Sequence, residues 1–359
     1  AQVPERVVYN FTKAVFEITD AKGVVIDTRL FSRKKKDPST RRKEKKSLDE
    51  LDLWIEEERT KVRQLRADKM ISVLNDHILE RLLTLLKDEM GVPPVPFCWL
   101  LMGSEGRREQ TFRTDQDNAI ICADPGNEEQ EAAAQSYFQE FARRAIDHLV
   151  NCGYPLCPGD IMARNPKWCQ PYSVWCRYFE NWVATPDPQE LLNAMIFFDF
   201  RSGFGDSTLA DNLREHLIRM SRRWNIYLLH LARECMNSRA PLSFFKSFIV
   251  EKDGEHRNTM DIKRQGITPF VNYARVQALK HGIKETNTLA RLNVLHAEGH
   301  ISQNLWHSAC DAYELQMQLR LVHQLHQLDN GIIPDNRINP ANLTELEKRM
   351  LKEAFAVIE

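Results

Sequence analysis

Residues 97–123, "FCWLLMGSEGRREQTFRTDQDNAIICA", hold two short uncharged apolar runs on either side of a polar connection. Runs of that length, bounded by turn-forming residues, fit strands buried on both faces better than helices. The connection between them opens on Gly103, Ser104 and Gly106, continues through Arg107, Arg108 and Arg113, and ends on Asp115 and Asp117. If residues 97–102 and 118–123 are strands, the chain leaves the first at Gly103 and starts the return as a short helix.

Upstream, no Gly or Pro interrupts residues 48–90, and Ser47 with Glu50 has capping-box spacing, which predicts one long helix or two consecutive ones. Leu74, Ile78, Leu82 and Leu85 give its later part a buried face. Residues 14–31 predict a hairpin around a Gly-containing turn. The block at 33–46 follows, with nine basic residues. It reads as a solvated loop, with RNA or an acidic partner as the alternative. Downstream, residues 127–150 predict a helix. Helices are also expected at 207–237, 267–281, 287–297, 302–328 and 343–358, the last two capped by Ser302 and Asn342. Trp175, Tyr178, Phe179 and Trp182 fall on one helical face and predict core packing. The expected class is α+β: a small sheet with flanking helices, then an all-α bundle. Three regions follow: a hairpin and basic loop at 1–46, the mixed unit with its N-terminal helices at 47–165, and the bundle at 166–359.

The chemistry of the central connection is that of a polyphosphate site. Glycines let backbone N–H groups approach an anion. Ser104 can add a hydroxyl donor, and Arg107, Arg108 and Arg113 can neutralise phosphate charge. Asp115 and Asp117, two residues apart on a strand, project to one face with Cα atoms about 6.5–7 Å apart. Carboxylates so close invite a cation between them. Mg2+ or Mn2+ suits hard oxygen ligands shared with substrate phosphates. Gln116 and Asn118 face the other way.

The run of Gly103 and Ser104 followed by Asp115 and Asp117 resembles the signature of the DNA polymerase β-like nucleotidyltransferase superfamily. The longer wording "GSEGRREQTFRTDQDNAI" resembles its protein-PII uridylyltransferase branch, and in particular the nucleotidyltransferases of domain-of-unknown-function 294, often found beside CBS and cyclic-nucleotide-binding domains. "VLNDHI", "GYPLCPGDIMARNPKW", "IFFDFR", "DIKRQGITPFVNYARVQAL", "TNTLARL" and "DNRINP" extend the likeness from about residue 60 to the end. The resemblance implies that Gly103 and Ser104 hold the triphosphate of an NTP, that Asp115 and Asp117 bind magnesium, and that the helical bundle lies over the site for the acceptor. It also implies a third carboxylate, for which Asp160 and Asp199 are both candidates. Lys263 and Arg264 either face the nucleotide or acceptor or form a surface pair. Arg320, His323 and Gln324 either line the cleft or meet water.

Bulk composition makes any basic footprint a local one. Lys plus Arg total 49 against 50 Asp plus Glu, a net charge of −1, which argues against wholesale binding to nucleic acid or to a membrane surface. No apolar stretch approaches a membrane span and no signal-peptide core is visible, so the chain reads as soluble and cytoplasmic. Position 1 is Ala, which leaves room for domains upstream. The eight cysteines form no CxxC pair and read as buried reduced thiols. The leading expectation is an Mg-dependent enzyme moving an NMP from an NTP to a hydroxyl on a protein or small molecule. The alternatives are a nucleotide-sensing module of the same fold with little turnover, and an RNA-modifying or RNA-binding protein using residues 33–46.

Overall fold

The computed structural model describes residues 6–10, 15–19, 25–27, 67–112, 114–184, 195–223, 225–236, 240–243 and 247–358. The basic block at 33–46, the Ser47 cap and Arg113 lie outside these residues. Near the N-terminus, strands β1 (Arg6–Asn10), β2 (Val15–Thr19) and β3 (Val25–Asp27) form an antiparallel sheet, in which β2 and β3 are the expected hairpin.

The second sheet has four strands: β4 (Phe97–Leu101), β5 (Asn118–Cys122), β6 (Cys169–Pro171) and β7 (Arg201–Gly205), in the order β6-β5-β4-β7. β4 lies antiparallel to both β5 and β7, with Trp99 opposite Ile120 and Phe204, while β5 and β6 run parallel. Every residue of β4 and β5 is buried, as uninterrupted apolar runs require when both faces are covered. The sheet therefore crosses the 165/166 boundary expected from sequence, drawing both β6 and β7 from beyond it.

Helices α1 (Ala67–Met90), α3 (Glu128–Asn151), α4 (Tyr172–Ala184) and α5 (Ser207–Arg223) flank this sheet; α2 is the short turn Gly103–Gly106. Leu79, Leu83 and Leu86 of α1 and Phe138, Phe141 and Ala145 of α3 join one core with the strands. The aromatic face of α4 does pack inward: Trp175 is fully buried and its Nε1–H donates to the Ile120 carbonyl at 3.0 Å. Burying a polar ring N–H in a core needs such a partner.

The C-terminal part is helical, as expected: α6 (Asn225–Met236), α7 (Thr268–His281), α8 (Thr288–Ala297), α9 (Gln303–Asp329) and α10 (Glu345–Ala356). A two-residue pair, β8 (Met260–Asp261) with β9 (Arg337–Ile338), pins the loops between them. Ser302 caps α9 through Leu305 N–H at 3.3 Å. The cap of α10 is Thr344 and not Asn342, because Thr344 and Glu347 form a reciprocal capping box. Among the described residues no helix is long and apolar enough to cross a membrane, and none of the eight cysteines forms a disulfide.

Candidate active site

β4 ends at Leu101, Met102 is extended, and Gly103 turns the chain with φ +56° into the helical turn α2. The Met102 N–H donates to the Asp117 carbonyl at 2.9 Å, which ties the end of β4 to the approach of β5. A Cβ on Gly103 would stand 2.8 Å from Asp117 Oδ2, so both its dihedral and its contact require glycine. Gly106 serves a different neighbour. Its missing Cβ would lie 1.9 Å from the Asp199 carbonyl oxygen, so this glycine lets the backbone of 195–200 close on the turn.

Asp115 and Asp117 lie in the extended segment that leads into β5, which itself starts at Asn118. Gln116 forms an isolated parallel bridge with Leu156, its N–H donating to the Pro155 carbonyl. Side chains alternate as expected. Gln116 and Asn118 are buried, with Gln116 Nε2 donating to the Tyr154 carbonyl at 3.0 Å and Asn118 Oδ1 accepting from Ala163 N–H at 2.9 Å. Asp115 and Asp117 turn to the other side, where one oxygen of each and Cys157 Sγ all lie within 4.8 Å of one another. Burial, and then the charge of Asp115, pushes the Asp117 carboxyl up to about 6. The Cys157 thiol, raised to about 11 by burial and by Asp117, stays protonated and hydrogen-bonds to that carboxylate.

The structure does not bring Asp160 into this cluster. Asp160 is exposed, with φ +50°; its carboxylate accepts from Asn165 Nδ2 at 2.9 Å and its carbonyl from Trp168 Nε1 at 3.1 Å. Asp199 is fully buried and surrounded by guanidinium groups: Arg107 at 2.8 Å, Arg275 at 2.5 Å and Arg291 at 2.7 Å. Burial alone would raise its carboxyl, but the three arginines outweigh it and hold it well below the usual carboxylate range. Arg107 is spoken for in the same way, since it also meets Glu109 at 2.6 Å. Arg108, with φ +57°, is exposed and approaches Asp76 at 3.8 Å. Ser104 is half-buried on the turn, and its carbonyl accepts from Glu109 N–H.

The bundle holds this turn from outside. Thr286 Oγ1 donates to the Gly106 carbonyl at 2.8 Å and Asn287 Nδ2 to the Arg107 carbonyl at 3.1 Å. Glu109 accepts Thr288 N–H at 2.6 Å, at the start of α8, where a carboxylate satisfies an unpaired N–H and meets the positive helix end. The "TNT" and "FFDFR" segments are thus the clamps that join the bundle to the turn. Of the pair Lys263 and Arg264, Arg264 is exposed, whereas Lys263 faces Asp115, Asp117, Arg107 and Arg320. Arg320 and Gln324 are buried on α9, where Arg320 Nε and Gln324 Nε2 both donate to Asn336 Oδ1. His323 pairs with Asp335 at 3.0 Å.

Sequence reasoning missed Cys157 as the third member of the cluster, taking it for one more buried thiol; only its place in "GYPLCPGD" marked it. It also missed the buried Arg–Asp–Glu network, because partners such as Arg107 and Asp199 are 92 residues apart in the chain.

A Gly-Ser turn against a paired carboxylate, on a small mixed sheet capped by a helical bundle, defines the chain as one of the nucleotidyltransferase type. Residues 52–189 match a family model described as "Putative nucleotidyltransferase DUF294", and residues 225–359 match one described as "Putative nucleotidyltransferase substrate binding domain". The two matches cover most of the chain, which belongs to this nucleotidyltransferase family. No curated protein matches it at a significant level.

Proposed function

We propose that the chain is an Mg2+- or Mn2+-dependent nucleotidyltransferase that moves an NMP from an NTP to a hydroxyl of a protein or small-molecule acceptor. The observation that carries this reading is the Asp115–Asp117 cluster pressed against Gly103. Its donor set fits a hard divalent cation: two carboxylates, one of them held above its ordinary range by burial and by the charge of the other. Cys157 stands beside them as a buried thiol hydrogen-bonded to Asp117.

Asp115 and Asp117 would hold the cation, which supplies charge neutralisation and a lowered pKa for the attacking hydroxyl. The remaining work falls to the chain itself. The backbone of Gly103 and the Ser104 hydroxyl bind the triphosphate, and Arg108, exposed just after the turn, offers a guanidinium to it. Arg107 keeps the turn in place through Glu109 and Asp199 instead of touching substrate. In the reaction the acceptor hydroxyl gives up its proton to water as its oxygen bonds to the α-phosphorus, the bond from that phosphorus to the β-bridging oxygen breaks, and pyrophosphate leaves with the electron pair. A cytoplasmic setting, which supplies both NTP and Mg2+, accords with this reading.

The test is incubation with each α-labelled NTP, Mg2+ or Mn2+, and a cell extract as the source of acceptor. Label on a protein or small molecule with matching pyrophosphate release is the expected result. NTP binding without pyrophosphate release would instead make the chain a nucleotide sensor. Absence of both NTP binding and pyrophosphate release would refute the reading.

A further inference from the structure

We infer that the helical part holds a second ligand site, separate from the nucleotide site: a pocket between α6, α7 and α9 that takes an uncharged, largely apolar small molecule with one hydrogen-bonding group.

The pocket has a volume of about 740 Å3, within the range that encloses a drug-sized molecule. Its walls include Ala232 of α6, Phe270 and Tyr273 of α7, Ala309 of α9, and Ile358 just after α10. It lies where two hydrophobic clusters fail to merge. Phe270 and Ala309 belong to one, Ala240 to the other, and Ile358 packs against both. Protein interiors close voids of this size, because apolar walls without partner atoms lose dispersion contacts. An apolar hollow that stays open is a place where a ligand supplies those contacts. Leu305 lines it and is 38% exposed, which puts the mouth beside the start of α9.

The lining selects the class of ligand. Among the described residues none of those around the pocket is Lys, Arg, His, Asp or Glu. A phosphate or carboxylate would therefore lose its water there without gaining a counter-charge, which disfavours nucleotides. Two polar side chains stand among the apolar ones, Tyr273 and Gln277, four residues apart and so on one face of α7. Neither has a hydrogen-bond partner among the described residues. A phenol hydroxyl and a carboxamide can together hold one carbonyl, hydroxyl or amide of a ligand. The remaining contacts are with hydrocarbon.

α7 also stands between this pocket and the turn. Asn272 and Arg275 leave the helix on another side, where Arg275 donates to Asn272 Oδ1 and pairs with Asp199 at 2.5 Å. An occupant of the pocket thus rests on the helix that fastens the turn, from the side away from Asp199.

The test uses the full chain and two fluorescent probes of similar size: Nile red, which is uncharged and carries a carbonyl acceptor, and anilinonaphthalene sulfonate, which is anionic. Wild type should bind one equivalent of Nile red with blue-shifted emission, equally well with and without saturating Mg·NTP. The sulfonate dye should bind roughly tenfold more weakly, or weaker still. Ala232→Phe and Ala309→Phe each place a ring inside the pocket and should lower Nile red affinity roughly tenfold or more. The double variant Tyr273→Phe with Gln277→Leu keeps the volume and should lower it roughly 3- to 10-fold. Melting temperatures report folding, and if the ring variants unfold the double variant decides. No Nile red binding by wild type, unchanged affinity in a folded variant, displacement by Mg·NTP, or equal affinity for the sulfonate dye would each overturn the inference. None of these results touches the nucleotidyltransferase reading, which rests on Asp115 and Asp117.

Discussion

Asp117→Asn should make the metal-free protein more stable at pH 8 and leave it unchanged at pH 4. Asp117 titrates at about 6 in the folded protein against an ordinary 3.8. As pH rises through this window, the unfolded chain gives up its proton first, so the folded state loses stability between pH 4 and 6 and does not regain it above. At ~1.4 kcal/mol for each tenfold change the full loss is about 3 kcal/mol, and solvent at the partly exposed side chain trims it to about 1–2. Coulomb repulsion leads to the same scale: two carboxylate oxygens within 4.8 Å oppose each other by about 3 kcal/mol at an effective dielectric of about 20. Burial is the larger cause of the first figure and the repulsion by Asp115 is already contained in it, so the two are not summed. Denaturant melts in EDTA at both pH values measure the difference. Adding Mg·NTP at a hundred times its Kd should then stabilise the wild type by about 2.7 kcal/mol and the variant by little. A variant less stable than wild type at pH 8 in EDTA would show that Asp117 is a structural partner. Equal stabilisation of both proteins by Mg·NTP would show that it holds no metal.

Gly103→Ala should cost about 1–2 kcal/mol for its left-handed dihedral and weaken Mn2+ binding as well, because its methyl would press on Asp117; melts and Mn2+ titration read both effects. Asp199→Asn should destabilise by about 3–5 kcal/mol, since it leaves Arg275 and Arg291 without a carboxylate in the interior, whereas Asp160→Ala should stay within about 1 kcal/mol and leave Mn2+ affinity intact. A tenfold loss of Mn2+ affinity in Asp160→Ala would restore it as the third ligand. Ser104→Ala should keep the melting temperature and lower Mg·NTP affinity, while Arg107→Ala should lower the melting temperature first. Unchanged NTP affinity in Ser104→Ala removes that hydroxyl from the site.

Much of the local architecture follows from short-range rules that the chain carries openly. β4 and β5 are legible because an apolar run too short for a helix and closed by Gly or Asp has few other uses. The aspartates are legible because a spacing of two in extended chain puts side chains on one face whatever surrounds them. Helix ends were legible where a cap stood alone, as at Ser302, and shifted where two candidates competed, as at Asn342 and Thr344. β7 was missed since "RSGFG" carries two glycines and no alternation, and becomes a strand only because β4 offers an unpaired edge. The roles of Arg107, Asp160 and Asp199 depended on the tertiary structure for a similar reason. Charge and residue type say that a group can bind phosphate or metal, but burial and the nearest opposite charge decide whether it is free to do so. For Asp199 those neighbours come from the end cap of α2, from α7 and from α8, and no local pattern could bring them together.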